Sequence, residues 1–162
     1  MSKIQKIRAI VVTVSDSRTE SNDVSGDALV ESLNKIGAEI VEKIIISDDF
    51  EDLRQTLYVL TERDDANLII TTGGTGFAPR DNTPEATRAV IEREAPGLAE
   101  AIRFETVKKT PTAMLARGVC GIRGKTLIIN LPGSPKAVRE CFEVIEPVLQ
   151  HAVNLLAGNT KH

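Results

Sequence analysis

Residues 68–87 read LIITTGGTGFAPRDNTPEAT, and this stretch joins a strand signal to a helix signal through an unusually equipped loop. The apolar run ending at Thr72 suits a strand covered on both faces. Thr83 is a good N-cap, Pro84 fits a first helical turn and Glu85 complements the helix dipole, so the spacing predicts a helix running to about Arg93. Between strand and helix, Gly73, Gly74 and Gly76 can adopt positive φ and let backbone N–H groups, with that of Thr75 among them, approach an anion. Arg80 adds positive charge, and Asp81 is a hard oxygen ligand able to hold a metal on the same anion. The combination suits a polyphosphate site.

Working outward, the same strand–helix alternation recurs. Ile7 to Ser15 contains Ala9, Ile10, Val11 and Val12 without polar interruption and reads as a first buried strand. Ser25 is expected to cap a helix from about Gly26 to Ile36, where Leu29, Leu33 and Ile36 recur at helical spacing and Gly37 supplies the stop. Ala38 to Ile46 reads as a second strand, and Phe50, Leu53, Leu57 and Leu60 mark a second apolar helical stripe. Asn67 to Thr72 is the third strand. Beyond it, Pro96 and Gly97 interrupt the chain before an amphipathic segment reaching about Thr106. Val119 to Ile122 and Thr126 to Leu131 then flank the turn residues Arg123 and Gly124 as a hairpin. Pro132, Gly133, Ser134 and Pro135 form a rigid loop before a stripe of Val138, Cys141, Phe142 and Ile145, with a last helix expected to begin near Pro147. The pattern predicts an α/β fold in three layers, a mostly parallel sheet between helices with a late β-hairpin.

The 162 residues suit one domain spanning 1–162, with 41% apolar and 27% charged residues, an ordinary globular balance. A formal charge of −3 and only 3% aromatic residues disfavour a nucleic-acid surface, which needs clustered cations or stacking platforms. The apolar run near the N-terminus is short, no cleavage pattern follows it, and no segment reaches membrane-spanning length, so a cytoplasmic protein with no membrane association is expected. Cys120 and Cys141 lack CxxC spacing or a neighbouring His and read as reduced core thiols. His151 and His162 have no second ligand at useful spacing, which disfavours zinc.

In parallel sheets ligands bind beyond the carboxyl ends of the strands. That rule selects the loops beginning at Ser15, Ser47, Gly73 and Pro132. Blander readings exist for each: the glycines as turn residues, Asp48 and Asp81 as caps or solvated loop positions, Pro132 to Pro135 as a simple turn. The glycine loop lacks both the GxGxxG spacing and the Walker lysine, so a dinucleotide fold and a P-loop are disfavoured.

TTGGTGFAPRDNTPEAT, with INLPGSPKAV at Ile129 to Val138, resembles the molybdopterin-binding family that includes the MoaB and Mog proteins and the G domains of plant and animal cofactor-synthesis proteins. VTVSDSR after the first strand, DVSG before the first helix, and TPTAMLARGVCGIRGKTLIINLPGSP extend the resemblance over nearly the whole chain. It implies a three-layer molybdopterin-binding fold, commonly a homotrimer and also found as a hexamer. In the Mog-like branch it implies transfer of AMP from ATP to the terminal phosphate of molybdopterin, with Mg²⁺ as the working metal, pyrophosphate as the leaving group and a molybdenum-insertion protein as a further partner. A MoaB-like protein that binds the pterin without robust catalysis is the alternative.

Carried over residue by residue, the family's two important aspartates fall on Asp48, next to Asp49 in IISDDFEDL, and on Asp81 in PRDNTPEAT, as catalytic and metal-holding groups. The resemblance and the loop positions together assign phosphate or pterin binding to Ser15, Gly73, Gly74, Thr75, Gly76, Pro132, Gly133 and Ser134. Arg80 stands as either a phosphate partner or half of a surface ion pair, and Arg117 as a weaker pterin-phosphate candidate. Two positions depart from the family pattern: Ala116 replaces a serine found in some members, and Asn82 stands where valine is common.

Overall fold

A computed structural model describes residues 3–160; His162 lies outside the described residues. Strand β1 (Arg8–Val14) leads to helix α1 (Val24–Lys35), then β2 (Glu39–Ile46), α2 (Phe50–Thr61), β3 (Leu68–Thr72), α3 (Thr83–Val90), β4 (Arg93–Glu94) and α4 (Pro96–Thr106). A 3₁₀ turn at Pro111–Leu115 precedes β5 (Cys120–Arg123), β6 (Thr126–Leu131) and α5 (Pro135–Leu156). The sheet order is β2-β1-β3-β6-β5-β4. The first four strands in that order run parallel, so the carboxyl ends of β2, β1, β3 and β6 lie side by side along one edge. β5 turns back antiparallel on β6, and β4 pairs antiparallel with β5.

Alternation along the strands splits the core into two layers, because successive side chains point to opposite sheet faces. Ile10, Val12, Ile69 and Ile128 face Leu53, Leu57, Ala86 and Val90 of α2 and α3. Val11, Ile70, Leu127 and Ile129 face Leu29, Leu33, Ile102 and Phe142 of α1, α4 and α5. The result is the three-layer sandwich expected from the sequence. Among the described residues no helix is long and apolar enough to cross a membrane.

Several local expectations are corrected. Asp23, not Ser25, caps α1: its Oδ1 accepts the Gly26 N–H at 3.1 Å, while its Oδ2 accepts the Thr13 hydroxyl at 2.8 Å and pairs with Lys43 at 3.1 Å. This fully buried carboxylate is tolerable because each oxygen has a donor and one a cation. Thr83 is the first helical residue of α3, its hydroxyl diverted to the Gly73 carbonyl at 2.9 Å. The helix ends at Val90, since Arg93 and Glu94 are drawn into pairing with β5. Pro96 occupies the first turn of α4 rather than preceding it. The hairpin turn falls at Gly124 and Lys125, with Gly124 at φ 57°.

No new helix begins at Pro147. One 22-residue helix runs through it. An interior proline costs about 3 kcal/mol, whereas Ile145, Leu149 and Val153 on the same stripe are all essentially buried, each contributing ~1.5–3 kcal/mol. Burial on both sides of the proline outweighs the break.

Candidate functional site

The glycine loop is pinned to its neighbours by close backbone approach. Gly73 has φ 101°, and a Cβ there would lie 2.4 Å from the Val14 carbonyl oxygen at the end of β1. Its N–H donates to the Leu131 carbonyl at the end of β6, at 3.0 Å. The Thr72 hydroxyl adds a bond to the Pro132 carbonyl at 2.7 Å. Gly133 in turn leaves room for Gly73, whose Cα would lie 3.3 Å from a Cβ on it. The loops after β1, β3 and β6 are therefore fastened together at one rim.

Asp48 joins this rim from the loop after β2. Its Oδ1 lies 3.3 Å from where a Cβ on Gly74 would stand, while Asp81 Oδ2 lies 2.9 Å from the corresponding point on Gly76. The two carboxylates thus flank the same three-residue loop, and Asp81 also lines the cavity described below. Asp49 is turned elsewhere, its carboxylate capping α2 by accepting the Asp52 N–H at 3.0 Å.

Asp48 Oδ2 accepts the Asp16 N–H at 2.9 Å, and Asp81 Oδ2 accepts the Ala78 N–H at 3.0 Å. The second oxygen of each has no hydrogen-bond partner among the described residues. Burial pushes the Asp48 carboxyl above the ordinary aspartate range, with the neighbouring charges of Asp16 and Asp81 acting the same way against the Asp16 hydrogen bond and Arg80. A half-buried carboxylate short of positive charge, with another nearby and an open oxygen on each, fits a small hard cation that keeps most of its water. Such an ion takes one or two carboxylates and completes its shell with ligand phosphates. No cluster of three or more His, Cys, Asp or Glu groups able to hold a metal occurs among the described residues.

The remaining predicted residues are distributed unevenly. Arg80 grips Asp16 with Nε at 2.7 Å and Nη2 at 3.1 Å, so of its two readings the ion pair is the one formed here. That pairing lowers the Asp16 carboxyl below its ordinary range, with the Asp48 N–H contributing. Ser15 organises its own loop, its hydroxyl oxygen accepting the Ser17 and Arg18 N–H groups at 3.2 and 3.1 Å. Ser134 caps α5 through the Ala137 N–H at 3.1 Å, which aims that helix's N-terminus into the cavity rim. Arg117 has all three side-chain nitrogens committed: Nε to the Gly76 carbonyl and Nη2 to the Asp81 carbonyl, both at 2.8 Å, and Nη1 to Glu85. It acts on the loop's backbone, and each Nη keeps one further N–H beyond these contacts. Asn82 donates to the Asp48 carbonyl at 3.0 Å and ties the two acidic segments together.

A cavity of about 590 Å³ opens beside this rim, bounded by Gly74 to Gly76, Asp81, the loop from Pro132 to Ser134, α4 and the start of α5. Its volume matches a small organic ligand. Ala99, Ile102 and Leu115 give it an apolar wall, and Asp48 and Ser15 stand outside it. Two residues that the sequence reading passed over matter here. Asp16 is placed by VTVSDSR at a strand end and was findable by the same rule that selected Ser15. Arg103 lines the cavity from the last turn of α4, where no local motif marks it.

Residues 10–151 match the family model described as a probable molybdopterin binding domain. The chain is 46% identical over 152 residues to the molybdenum cofactor synthesis protein cinnamon of Drosophila melanogaster, covering 92% of this chain and 25% of that protein. It is 39% identical over 160 residues to the molybdopterin adenylyltransferase of Helicobacter pylori strain J99, covering 96% of this chain and 91% of the relative. The chain thus spans a quarter of the fly protein and nearly all of the bacterial one. The crystal structure of the molybdopterin biosynthesis enzyme MoaB from Thermus thermophilus superposes with a TM-score of 0.87 at 46% identity, covering 94% of this chain and 97% of that one.

Proposed function

Because the chain belongs to the molybdopterin-binding domain family, we propose that it is a nucleotidyltransferase of molybdenum cofactor biosynthesis that moves AMP from ATP to the terminal phosphate of molybdopterin. An oxygen of the pterin's phosphate attacks the α-phosphorus of ATP. The new P–O bond forms as the bond to the β-phosphate's bridging oxygen breaks, and pyrophosphate leaves. The reading rests above all on Asp48 and Asp81 lying against one glycine loop, at Gly74 and Gly76, with that loop and Asp81 lining a cavity of ligand size.

Such a transfer asks little covalent chemistry of the protein; positioning and charge stabilisation dominate. Backbone N–H groups of the Gly74–Gly76 loop and the N-terminus of α5 receive phosphate oxygens. Arg117 holds the loop carbonyls so that those N–H groups and Asp81 keep their direction. The open oxygens of Asp48 and Asp81 are the groups that would hold Mg²⁺, which when bound neutralises phosphate charge. The H. pylori relative's name, molybdopterin adenylyltransferase, supports the activity, with near-complete coverage of both chains. Assembly as a homotrimer in the cytoplasm, and delivery of product to a molybdenum-insertion protein, belong to the same reading. Apolar Phe104 and Met114, about two-thirds exposed on neighbouring segments, support self-association.

The test supplies ATP, Mg²⁺ and molybdopterin and follows pyrophosphate. Stoichiometric release that requires the pterin is expected, and Asp81→Asn should leave the fold intact while lowering the rate by at least ~10². Tight pterin binding with no pyrophosphate would instead identify a binding protein, the MoaB-like alternative.

A further inference from the structure

From the geometry of Arg103 we infer that its guanidinium is the cavity's bidentate grip on a phosphate monoester, the terminal phosphate of the pterin substrate; this rests on the function proposed above. Two cations line the cavity, Arg103 and Lys136. Lys136 extends into solvent, 80% exposed and 3.9 Å from Glu140. Arg103 is half-buried and has no carboxylate partner among the described residues.

Its Nη1 is anchored instead by main-chain carbonyls, that of Gly118 at 2.9 Å and that of Ala116 at 3.4 Å, the second a weak contact. This leaves Nε and Nη2 without a hydrogen-bond partner among the described residues. Those two nitrogens form one edge of the planar fork, with parallel N–H groups spaced for two oxygens of one carboxylate or phosphate. Arg80 uses that same edge on Asp16 and Arg63 uses it on Asp65. In Arg103 the edge is oriented by the protein and left open on a cavity with an apolar wall, where a charge-assisted bond is stronger than in water.

Of the charged groups that line the cavity, Lys136 lies by Glu140 and Asp81 is a carboxylate, so Arg103 supplies the unpaired positive charge, which makes the pocket selective for the phosphorylated form of its ligand.

The experiment measures equilibrium binding of molybdopterin and of its dephosphorylated form to wild type, Arg103→Met and Arg103→Lys, with thermal unfolding of each. Wild type should prefer the phosphorylated ligand. Arg103→Met should lose at least ~10-fold in affinity for that ligand alone, the size of a charge-assisted hydrogen bond, and its KM for ATP should stay within about twofold. Arg103→Lys should recover only part of the loss, since an ammonium has no fork. Equal weakening toward both ligands would mean that Arg103 only shapes the loop at Gly118, and unchanged affinity in Arg103→Met would equally overturn the inference. Failure of wild type to bind molybdopterin at all would overturn the functional reading, and this inference with it.

Discussion

Asp16 and Asp48 exchange hydrogen bonds: the Asp16 N–H donates to Asp48 Oδ2 at 2.9 Å, and the Asp48 N–H donates to Asp16 Oδ1 at 3.1 Å. This reciprocal clasp joins the loop after β1 to the loop after β2, and Arg80 closes it from the loop after β3. Each Asp16 oxygen therefore serves a neighbouring loop, and Asp48 keeps one oxygen open. The sequence order of the strands would never suggest the contact, since 32 residues separate the partners, but β1 and β2 are adjacent in the sheet and end at the same rim.

Replacing Asp16 with Ala should therefore misalign Asp48 without unfolding the protein. Its side chain is 44% exposed, so solvent screens the ion pair and its loss barely touches stability. Pyrophosphate release should fall about tenfold, mostly in kcat, because Asp48's orientation is what changes. Asp16→Asn keeps an oxygen able to accept the Asp48 N–H and should retain more activity. Equal, wild-type rates in both variants would remove the clasp from the mechanism.

Arg117 offers a sharper separation of positioning from binding. Its side chain satisfies the carbonyls of Gly76 and Asp81 and pairs with Glu85, so Arg117→Met strips three contacts from the loop at once. A stability loss of about 1–3 kcal/mol is expected from the unsatisfied carbonyls, with a kcat loss of ten- to a hundredfold and a smaller change in KM. The pair with Arg117 holds the Glu85 carboxyl below the usual glutamate range. A depressed folded-state value means that its contribution is present above the ordinary glutamate range and disappears as pH falls through the lowered value. Urea unfolding of wild type and variant from pH 7 downward should show the stability gap narrowing in acid. A gap that widens there would contradict the assignment.

The layers were legible in the sequence because burial on both sheet faces leaves uninterrupted apolar runs, as in Ala9 to Val12 and Leu68 to Ile70, and because ligand loops must then lie at the strand ends. What stayed hidden depends on contacts between distant segments. Thr83 has a cap's chemistry, yet its hydroxyl goes to Gly73, and Pro147 has a helix breaker's chemistry, yet Ile145 and Leu149 hold the helix through it. Asp23 outcompeted Ser25 as a cap because Thr13 and Lys43, on two different strands, make its burial tolerable. Arg103 had no sequence signal at all, since its partners are carbonyls at Ala116 and Gly118, and main-chain acceptors leave no trace in residue identity.

The two cysteines should be chemically silent in the native protein. Cys120 and Cys141 are almost fully buried, and desolvation pushes each thiol up to about 12, so the reactive thiolate is scarce near neutrality. A thiol-reactive disulfide reagent at pH 8 should label neither over the minutes in which both react after denaturation. Rapid native labelling of Cys141, which lies against the cavity, would show that α5 opens far more readily than its packing implies.

Gly73 and Gly76 belong to one loop and should respond oppositely to alanine. At Gly73 the backbone is left-handed and the added Cβ would meet the Val14 carbonyl at 2.4 Å, a backbone atom at the end of β1, a strand paired on both sides, that cannot retreat. Gly73→Ala should cost several kcal/mol, on the order of 2–4, combining strain at positive φ with overpacking. At Gly76 the only close atom among the described residues is Asp81 Oδ2 at 2.9 Å, the end of a side chain that can rotate away. Gly76→Ala should therefore leave the melting temperature within a few degrees, a change of under about 1 kcal/mol, while turning Asp81 out of place. Pyrophosphate release should drop at least ~10-fold, toward the value for Asp81→Asn. The double variant Gly76→Ala with Asp81→Asn should be scarcely slower than Asp81→Asn alone, because both changes act through one carboxylate. Additive losses in that cycle would mean that the glycine matters for the loop's own N–H groups and that Asp81 is not the route of its effect.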